Sequence, residues 1–127
     1  MSRPVEDVTL DFRYLVTQPD LNAHGTLHGG ILMKWADESA GMHARKVSGY
    51  VCVTRFIDKI NFVSTSGLGT IVRIESKITK VGKTSLTFQI RAINDISQDL
   101  IATIDELVFV SIHGLQKPIR HGLYLVS

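Results

Sequence analysis

The sequence predicts an α+β fold in which a curved antiparallel β-sheet wraps around one long helix. Three observations support this class: one stretch with helical periodicity, five stretches with strand character, and short turns between the last four strands. Short links favour antiparallel neighbours. We expect residues 1–127 to form a single domain, because a chain of 127 residues without a linker-like segment suits one core.

The first strand is expected at residues 8–16, where apolar and polar side chains alternate with the period of a strand that has one buried face. The apolar positions are Val8, Leu10, Phe12, Tyr14 and Val16. The following segment contains Pro, Asp, Asn and several Gly residues, which predicts a shaped loop leading into a helix.

The helix is expected from Gly30 to about Lys46, where the period changes from two to about four. Alanine or leucine recurs every fourth residue, at Leu32, Ala36, Ala40 and Ala44. Neighbouring positions on the same face carry Trp35, Ser39 and His43. The charged side chains of Lys34, Glu38 and Arg45 form only a narrow solvated stripe. Such a helix must be covered by a large apolar surface.

Four long strands are expected after the helix, at residues 50–63, 70–80, 84–94 and about 100–112. In the last strand we expect the inward side chains to be Ala102, Ile104, Val108, Val110 and Ile112. The tail from Gly114 onwards is expected to be irregular. Several outward positions are nevertheless apolar and predict an oligomer, namely Val51, Val53, Ile57 and Leu107.

Composition narrows the functional classes. The net charge is +2 without long basic runs, which fits an anionic small ligand at least as well as a polynucleotide, so charge alone does not choose between them. No apolar run is long enough to span a bilayer and the first residues lack a secretory signal, so we expect a cytoplasmic protein with no membrane partner. The lone cysteine, Cys52, lies among strand-forming residues and is interpreted as an inert core thiol.

The stretch from Asn22 to Gly30 carries the first chemical signal. Gly29 and Gly30 lie where the helix begins, so we expect their unpaired amide N–H groups and the positive end of the helix dipole to point outward together. This arrangement suits the stabilisation of an oxyanion. The alternative is that the two glycines only make a tight turn before the helix.

Asp37 carries the second signal. It is expected at the edge of the apolar face, partly desolvated, and without an ion-pair partner because Met33 and Gly41 occupy the positions four residues away. A surface aspartate is the alternative interpretation. At about 1.5 Å per residue Asp37 lies roughly 10 Å beyond Gly30, too far for both to touch one carbonyl. We therefore expect them to meet across two antiparallel helices of a dimer.

The pattern Asn22-x-x-Gly25-x-x-His28-Gly29-Gly30 followed by Asp37 resembles the signature of hotdog-fold acyl-CoA thioesterases. The segments INFV at 60–63 and VGKTS at 81–85 are similar to segments of that family. The resemblance implies a hotdog fold and hydrolysis of an acyl-CoA to a carboxylic acid and free CoA. It also implies roles for five residues: Asp37 activating water or attacking the thioester, Gly29 of the partner chain binding the carbonyl oxygen, Asn22 orienting water or carbonyl, His28 positioning the thioester, and Thr54 bonding near Asp37.

Coenzyme A enters this hypothesis as part of the substrate, and we expect no separate cofactor and no metal. Its phosphates need cations or backbone amides. The first candidates lie at a glycine turn, where the backbone can approach a phosphate closely: Lys80, Gly82, Lys83 and Ser85. Gly30, at the start of the helix, is a further candidate. Arg55, Lys59 and Arg91 are possible substitutes. The partners expected are a small-molecule acyl-CoA and further copies of the chain, with a homodimer as the minimal unit within a tetramer or hexamer.

Other functions remain as alternatives at this point. A hotdog scaffold also suits a dehydratase acting on acyl thioesters or a non-catalytic acyl-CoA sensor, and fold alone does not separate them. A nucleic-acid-binding module would require aromatics interleaved with basic residues, whereas the aromatics here fall mostly on the expected core faces. His24 and His28 are spaced like a metal pair, but they lie in a loop without a third ligand motif.

Overall fold

The computed structural model describes residues 2–114 and 117–126. One long helix, α1 (Gly29–Ser48), is preceded by two strands and followed by six. The strands are β1 (Arg3–Pro4), β2 (Thr9–Leu15), β3 (Val51–Phe62), β4 (Ile71–Val81), β5 (Ser85–Asn94), β6 (Leu100–His113), β7 (Lys117–Pro118) and β8 (Leu123–Tyr124). The expected order of one strand, one helix and four long strands is therefore confirmed.

The main sheet has the order β2-β4-β5-β6-β3, and every neighbouring pair is antiparallel. Strand β3, which follows the helix, therefore lies at one edge and β2 at the other. The concave face packs around α1, whose buried side chains include Leu32, Trp35, Ala36, Ala40 and Ala44, as the periodicity predicted. Burial of this apolar stripe on a sheet is the main term that stabilises the helix.

A β-bulge changes which residues of β6 face the helix. Phe88 pairs with Leu107 and Ile90 pairs with Ile104, so β6 carries one extra residue opposite β5. Because side chains alternate with a period of two, the extra residue moves the inward face onto Leu107 and Phe109. Leu107 is completely buried in the core, so its expected outward position was wrong.

The inward positions expected for Val108 and Val110 were wrong for the same reason, because both lie outside the core cluster around the helix. Strand β3 has a matching irregularity between Thr54 and Phe56. Thr54 pairs with Phe109 before this irregularity and Ile57 pairs with Leu107 after it, so both lie on the helix side and Ile57 is not an outward residue either. Val51 is exposed, as expected.

The carboxy-terminal tail is more ordered than expected over its described part. Strand β7 pairs with the end of β6, and β8 pairs in parallel with β1, which buries Leu123. His121 is also buried and bonds the backbone of Ser85 through Nε2 at 3.0 Å. The part of the irregular-tail prediction that concerns residues 115, 116 and 127 lies outside the described residues.

A buried polar network ties the second half of α1 to the sheet. The ring of His43 is fully buried, with Nδ1 2.8 Å from Ser76 Oγ and Nε2 2.7 Å from the backbone oxygen of Asp7. A carbonyl oxygen only accepts, so Nε2 carries the proton and Nδ1 accepts from the Ser76 hydroxyl. Burial lowers the pKa of His43, which favours this neutral form.

Candidate active site

The carboxylate of Asp37 faces the edge strand of the sheet from the middle of α1. Thr54 Oγ1 donates a hydrogen bond of 2.5 Å to Asp37 Oδ1. Within residues 2–114 and 117–126, Oδ2 of Asp37 has no hydrogen-bond partner. One oxygen is thus fixed by a neighbour while the other remains able to accept a proton, which suits a general base.

The surroundings of Asp37 leave room for a second molecule. Gly41 lies one helical turn further along the same face and has no side chain to cover the carboxylate. A Cβ atom at position 41 would lie 3.4 Å from the ring of Phe109, so the glycine also permits close packing between α1 and β6. Asp37 itself is half-buried.

The amino-terminal end of α1 differs from the expectation in one respect. His28 caps the helix, and its Nδ1 accepts a 2.9 Å hydrogen bond from the Gly30 amide. The expectation that both glycine amides are unpaired therefore holds for Gly29 alone, whose N–H has no acceptor among the described residues. Of the two, Gly29 is the amide available to an oxyanion, reinforced by the positive end of the helix dipole.

The same hydrogen bond fixes the state of the His28 ring. Since Nδ1 accepts, the neutral ring carries its proton on Nε2. The exposed Nε2–H group can then donate to a carbonyl or to water. The sequence did not predict that His28 caps the helix. This capping bond is what leaves the Nε2–H group of His28 as a donor.

Asn22 organises the loop before the helix. Its Oδ1 accepts from the backbone amides of His24 and Thr26, at 2.9 and 3.1 Å. Its Nδ2 lies 3.0 Å from Thr26 Oγ1. The acceptor oxygen is thus committed to the loop, and what Asn22 can offer to a bound molecule is the second hydrogen of Nδ2. Asn22 and Gly29 line one open cavity of about 220 Å³.

The helical geometry keeps Gly29 and Asp37 of one chain apart. Eight residues at about 1.5 Å each place them roughly 12 Å apart along the helix axis. A site shared between two chains, as expected from the sequence, therefore stays a prediction.

The proposed phosphate-binding residues are only partly brought together. Gly82 and Lys83 line an open groove of about 350 Å³ with Arg120 and Gly122, whereas Lys80 is exposed outside it. Ser85 accepts the Gly82 amide through its backbone oxygen at 3.0 Å and closes the turn. Sequence reasoning missed Arg120 because the tail was expected to be irregular; the basic residues clustered around Pro118 were the available signal.

The substitute cations are less well placed. Arg91 is paired with Glu75 at 3.3 Å in an ion-pair network on the sheet. Lys59 adopts a left-handed backbone conformation with φ of 56°, and Arg55 lies at the irregularity of β3. Neither of these exposed residues lines the groove of Lys83.

Two other observations concern alternative chemistry. Burial raises the pKa of the Cys52 thiol, which keeps it protonated and agrees with an inert interpretation. Across the described part of the chain, no three His, Cys, Asp or Glu side chains are grouped so that they could hold a metal ion. No helix there combines the length and apolar character that a bilayer crossing requires.

A long helix enclosed by a curved antiparallel sheet is the hotdog architecture that the sequence resemblance implied, so the chain is a hotdog-fold protein. Comparison with known families agrees. Residues 24–101 match the family model described as the thioesterase superfamily, and the chain belongs to that superfamily.

Curated relatives carry thioesterase names. The mouse acetyl-coenzyme A thioesterase is 36% identical over 90 residues, which are 71% of this chain and 16% of the relative. The chain therefore spans about one-sixth of that protein's length. An uncharacterized acyl-CoA thioester hydrolase of Bacillus subtilis, YkhA, is 30% identical over 103 residues, covering 79% of this chain and 60% of the relative.

Solved structures show the same fold. The acyl-CoA hydrolase of Staphylococcus aureus in complex with butyryl-CoA and CoA superposes with a TM-score of 0.82 at 27% identity, over 99% of this chain and 77% of that one. Further structures of that enzyme carry single alanine substitutions of an asparagine, an aspartate and a threonine. A hexameric acyl-CoA thioesterase gives a TM-score of 0.82 at 30% identity, over 94% of this chain and 78% of that one.

Proposed function

We propose that this protein hydrolyses acyl-CoA thioesters, with Asp37 as the catalytic base. The observation that carries the proposal is the Asp37 carboxylate, held at one oxygen by Thr54 and without a described partner at the other. The names of the relatives and the CoA bound to the similar S. aureus enzyme support the substrate class.

The reaction can be written with every proton assigned. Asp37 takes a proton from a water molecule, whose oxygen adds to the thioester carbon and turns the carbonyl oxygen into an oxyanion. The Gly29 amide of a second chain stabilises this oxyanion. The intermediate then expels the CoA thiolate, which takes the proton from Asp37, so the products are a carboxylic acid and the free thiol.

Three supporting residues have distinct tasks in this scheme. Thr54 keeps the carboxylate oriented through its hydrogen bond to Oδ1. The Nε2–H group of His28 and the second amide hydrogen of Asn22 are donors for the carbonyl or the attacking water. In the S. aureus enzyme, the separations along the chain between the substituted asparagine, aspartate and threonine equal those between Asn22, Asp37 and Thr54. This correspondence supports the assignment.

The proposal includes a homodimer as the smallest active unit, since one chain cannot bring Gly29 and Asp37 to the same carbonyl. The exposed apolar side chains of Val51, Val53 and Phe56 on the edge strand β3 are consistent with burial by another copy. Hexameric structures of similar thioesterases support assembly beyond the dimer.

The remaining parts of the proposal concern binding and context. Gly82, Lys83 and Arg120 would hold the CoA phosphates, with Lys80, Ser85 and the turn assisting. We propose that residues 1–127 act as one domain. We further propose a cytoplasmic location, supported by the cytosolic acyl-CoA thioester hydrolases among the relatives.

The direct test is thiol release from a panel of CoA esters by the wild-type protein and by Asp37→Ala. Wild-type hydrolysis of at least one ester, reduced roughly 10²-fold or more in the variant with CoA binding retained, is the expected result. Undiminished hydrolysis by Asp37→Ala would refute the assigned base. Binding of acyl-CoA without any hydrolysis by the wild type would instead indicate a sensor.

Gly29 offers a matched pair of variants for the oxyanion role. Gly29→Pro removes the N–H group, while Gly29→Ala keeps it and adds a Cβ that would lie 3.4 Å from the Phe62 ring. Proline is accepted at the first helical position, and His28 with ψ of 128° is already in the conformation favoured before proline. We expect the proline variant alone to lose most of its kcat, by about 10²-fold.

Mixed dimers test the shared site. Neither Asp37→Ala nor Gly29→Pro should be active alone, but a dimer of the two contains one chain with an intact Asp37 and one with an intact Gly29 amide. Such a dimer should recover about half of the wild-type activity, because one of its two sites is complete. No recovery in purified mixed dimers would contradict the cross-chain geometry.

A further inference from the structure

Two cavities meet at the amino-terminal end of α1. The outer one, of about 220 Å³, is open and is lined by Asn22, Gly29 and the segment that follows β3. The inner one has a volume of only about 10 Å³ and lies between α1 and the sheet. Leu32 and Phe62 belong to the walls of both cavities, so these side chains form the boundary between them.

Phe62 is placed at the point where an acyl group would pass. It is the last residue of β3 and pairs with Ala102 of β6. Its Cζ atom lies 3.4 Å from the position that a Cβ of Gly29 would occupy, so the ring lies against the start of the helix. An acyl chain whose carbonyl oxygen is held by the Gly29 amide therefore starts beside this ring.

The inner cavity has the apolar lining of an acyl-binding site but is too small for an acyl chain. Its lining is apolar and includes three alanines: Ala36, Ala92 and Ala102, together with Leu32, Ile90 and Ile104. A cavity of about 10 Å³ corresponds to roughly one water molecule, which is too little for an alkyl chain. Of these two cavities, the outer one is the one that offers space to an acyl group while Phe62 is present.

We propose that Phe62 is the residue that limits acyl chain length and makes the protein selective for short-chain acyl groups. This inference rests on the hydrolase proposal for the location of the thioester. Long chains are excluded because the inner cavity, of about 10 Å³ with the Phe62 ring in its wall, has no room for them, whereas short chains are accommodated in the outer cavity. Replacement of the ring by a methyl group would join the two cavities.

The test uses non-hydrolysable S-butyl-CoA and S-decyl-CoA thioethers, with binding measured by calorimetry, alongside hydrolysis of butyryl-CoA and decanoyl-CoA. The wild type should bind and hydrolyse the four-carbon ligand preferentially. In Phe62→Ala the ratio of decyl to butyl affinity, and the corresponding ratio of kcat/KM, should rise at least tenfold, since additional methylenes then enter an apolar site. A ratio within one protein is insensitive to the amount that is folded.

Two further variants separate the space effect from a general disturbance of β3. Phe62→Ala combined with Ala102→Leu refills the vacated space from the paired strand and should return the ratio towards the wild-type value. Asp58→Ala is the control, because Asp58 is an exposed residue of the same strand, lines neither cavity and has no role in the proposed site or dimer contact. Its ratio should equal that of the wild type.

The outcomes distinguish this inference from the hydrolase proposal. An unchanged chain-length ratio in folded Phe62→Ala, or a wild type that already prefers the decyl ligand, would overturn the role of Phe62 while leaving hydrolysis intact. A wild type that binds the thioethers selectively but hydrolyses no ester would overturn the hydrolase proposal and retain the steric limit. Absence of binding by both thioethers would overturn both.

Discussion

Two polar side chains on α1, six residues apart, have opposite environments. His43 is fully buried and both of its ring nitrogens are hydrogen-bonded, to Ser76 and to the backbone of Asp7. Asp37 is half-buried, with one oxygen bonded to Thr54 and the other without a described partner. The comparison shows how the same helix carries a residue that stabilises the fold and a residue that remains available for chemistry.

The difference follows from what each side chain could do if its partners were removed. A buried imidazole without hydrogen bonds would cost folding free energy, so a satisfied histidine in the core acts as a structural connection. A carboxylate with an open acceptor at the edge of a sheet stabilises little, because water can replace its contacts. Substitutions at the two positions should therefore affect different measurements.

The largest effect is expected for Asp37→Asn. The amide keeps the shape and can still accept the Thr54 hydroxyl through Oδ1, but it cannot take a proton from water. We expect kcat in the thiol-release assay to fall by about 10²-fold or more, with an unchanged free energy of unfolding. The neighbouring exposed Glu38→Gln is the control and should retain full activity.

The next largest effect is expected for His43→Leu, and it should appear in stability. The substitution leaves the buried Ser76 hydroxyl and the backbone oxygen of Asp7 without their partner, which costs about 2 kcal/mol. Denaturant titration measures this loss, while kcat per folded molecule should stay within about twofold. A tenfold loss of kcat at unchanged stability would contradict the assigned structural role.

Thr54→Val should lower kcat by about tenfold, because it removes the one described hydrogen bond to Asp37 while preserving the shape of the side chain. Thr54→Ser retains the hydroxyl and should retain most of the activity. Steady-state kinetics on both variants distinguish a positioning role from a packing role. Equal losses in the valine and serine variants would count against positioning.

The structural role of His43 should also appear in the pH dependence of the free energy of unfolding. Because burial lowers its pKa in the folded state, the unfolded chain binds the proton more strongly, and the free energy of unfolding decreases as the pH falls below about 6.5. The charged groups that influence the ring are Asp7 and Lys46.

The slope from this one group is at most about 1.4 kcal/mol per pH unit. Denaturation of the wild type and of His43→Leu at pH 7.5 and 5.5 isolates its contribution, since the other titrating groups are common to both. The variant should lose less stability than the wild type. An equal loss in the two proteins would show that His43 is not the group responsible.

The smallest effects on kinetics are expected for the two basic residues that line the groove at Gly82, Lys83 and Arg120. Lys83→Ala and Arg120→Ala should each raise KM by about two- to fivefold and leave kcat unchanged, because exposed charges contribute up to about 1 kcal/mol and bind ground state and transition state equally. Lys34→Ala on the solvated stripe of the helix is the control. A raised salt concentration should reduce the difference between wild type and variants.

Periodicity predicted much of the fold because the burial of each element depends on a local pattern. Residues such as Leu32, Ala36 and Ala40 lie on the buried face of α1 as their spacing indicated. The errors occurred where a single extra residue changed the alternation, so that Leu107 faces the core and Val108 does not. A bulge depends on both paired strands and leaves no mark in the spacing of one strand.

The site shows the same division. The motif around Gly29 and the position of Asp37 were visible in the sequence, whereas the competition of His28 for the Gly30 amide was not. Arg120 was missed because its approach to Lys83 depends on the path of the tail, which packs through Leu123 and His121. Contacts between distant segments require knowledge of where each chain segment runs.

The sequence by itself determined the order of elements, the buried face of the helix and the chemical types available near its start, because these follow from neighbours along the chain. The tertiary structure decided which groups contact one another: the Thr54 hydroxyl is bonded to Asp37, and the Phe62 ring lies against Gly29 at the start of the helix. The physical reason is that hydrogen-bond partners and cavity walls come from strands that are adjacent in the sheet but distant in the chain.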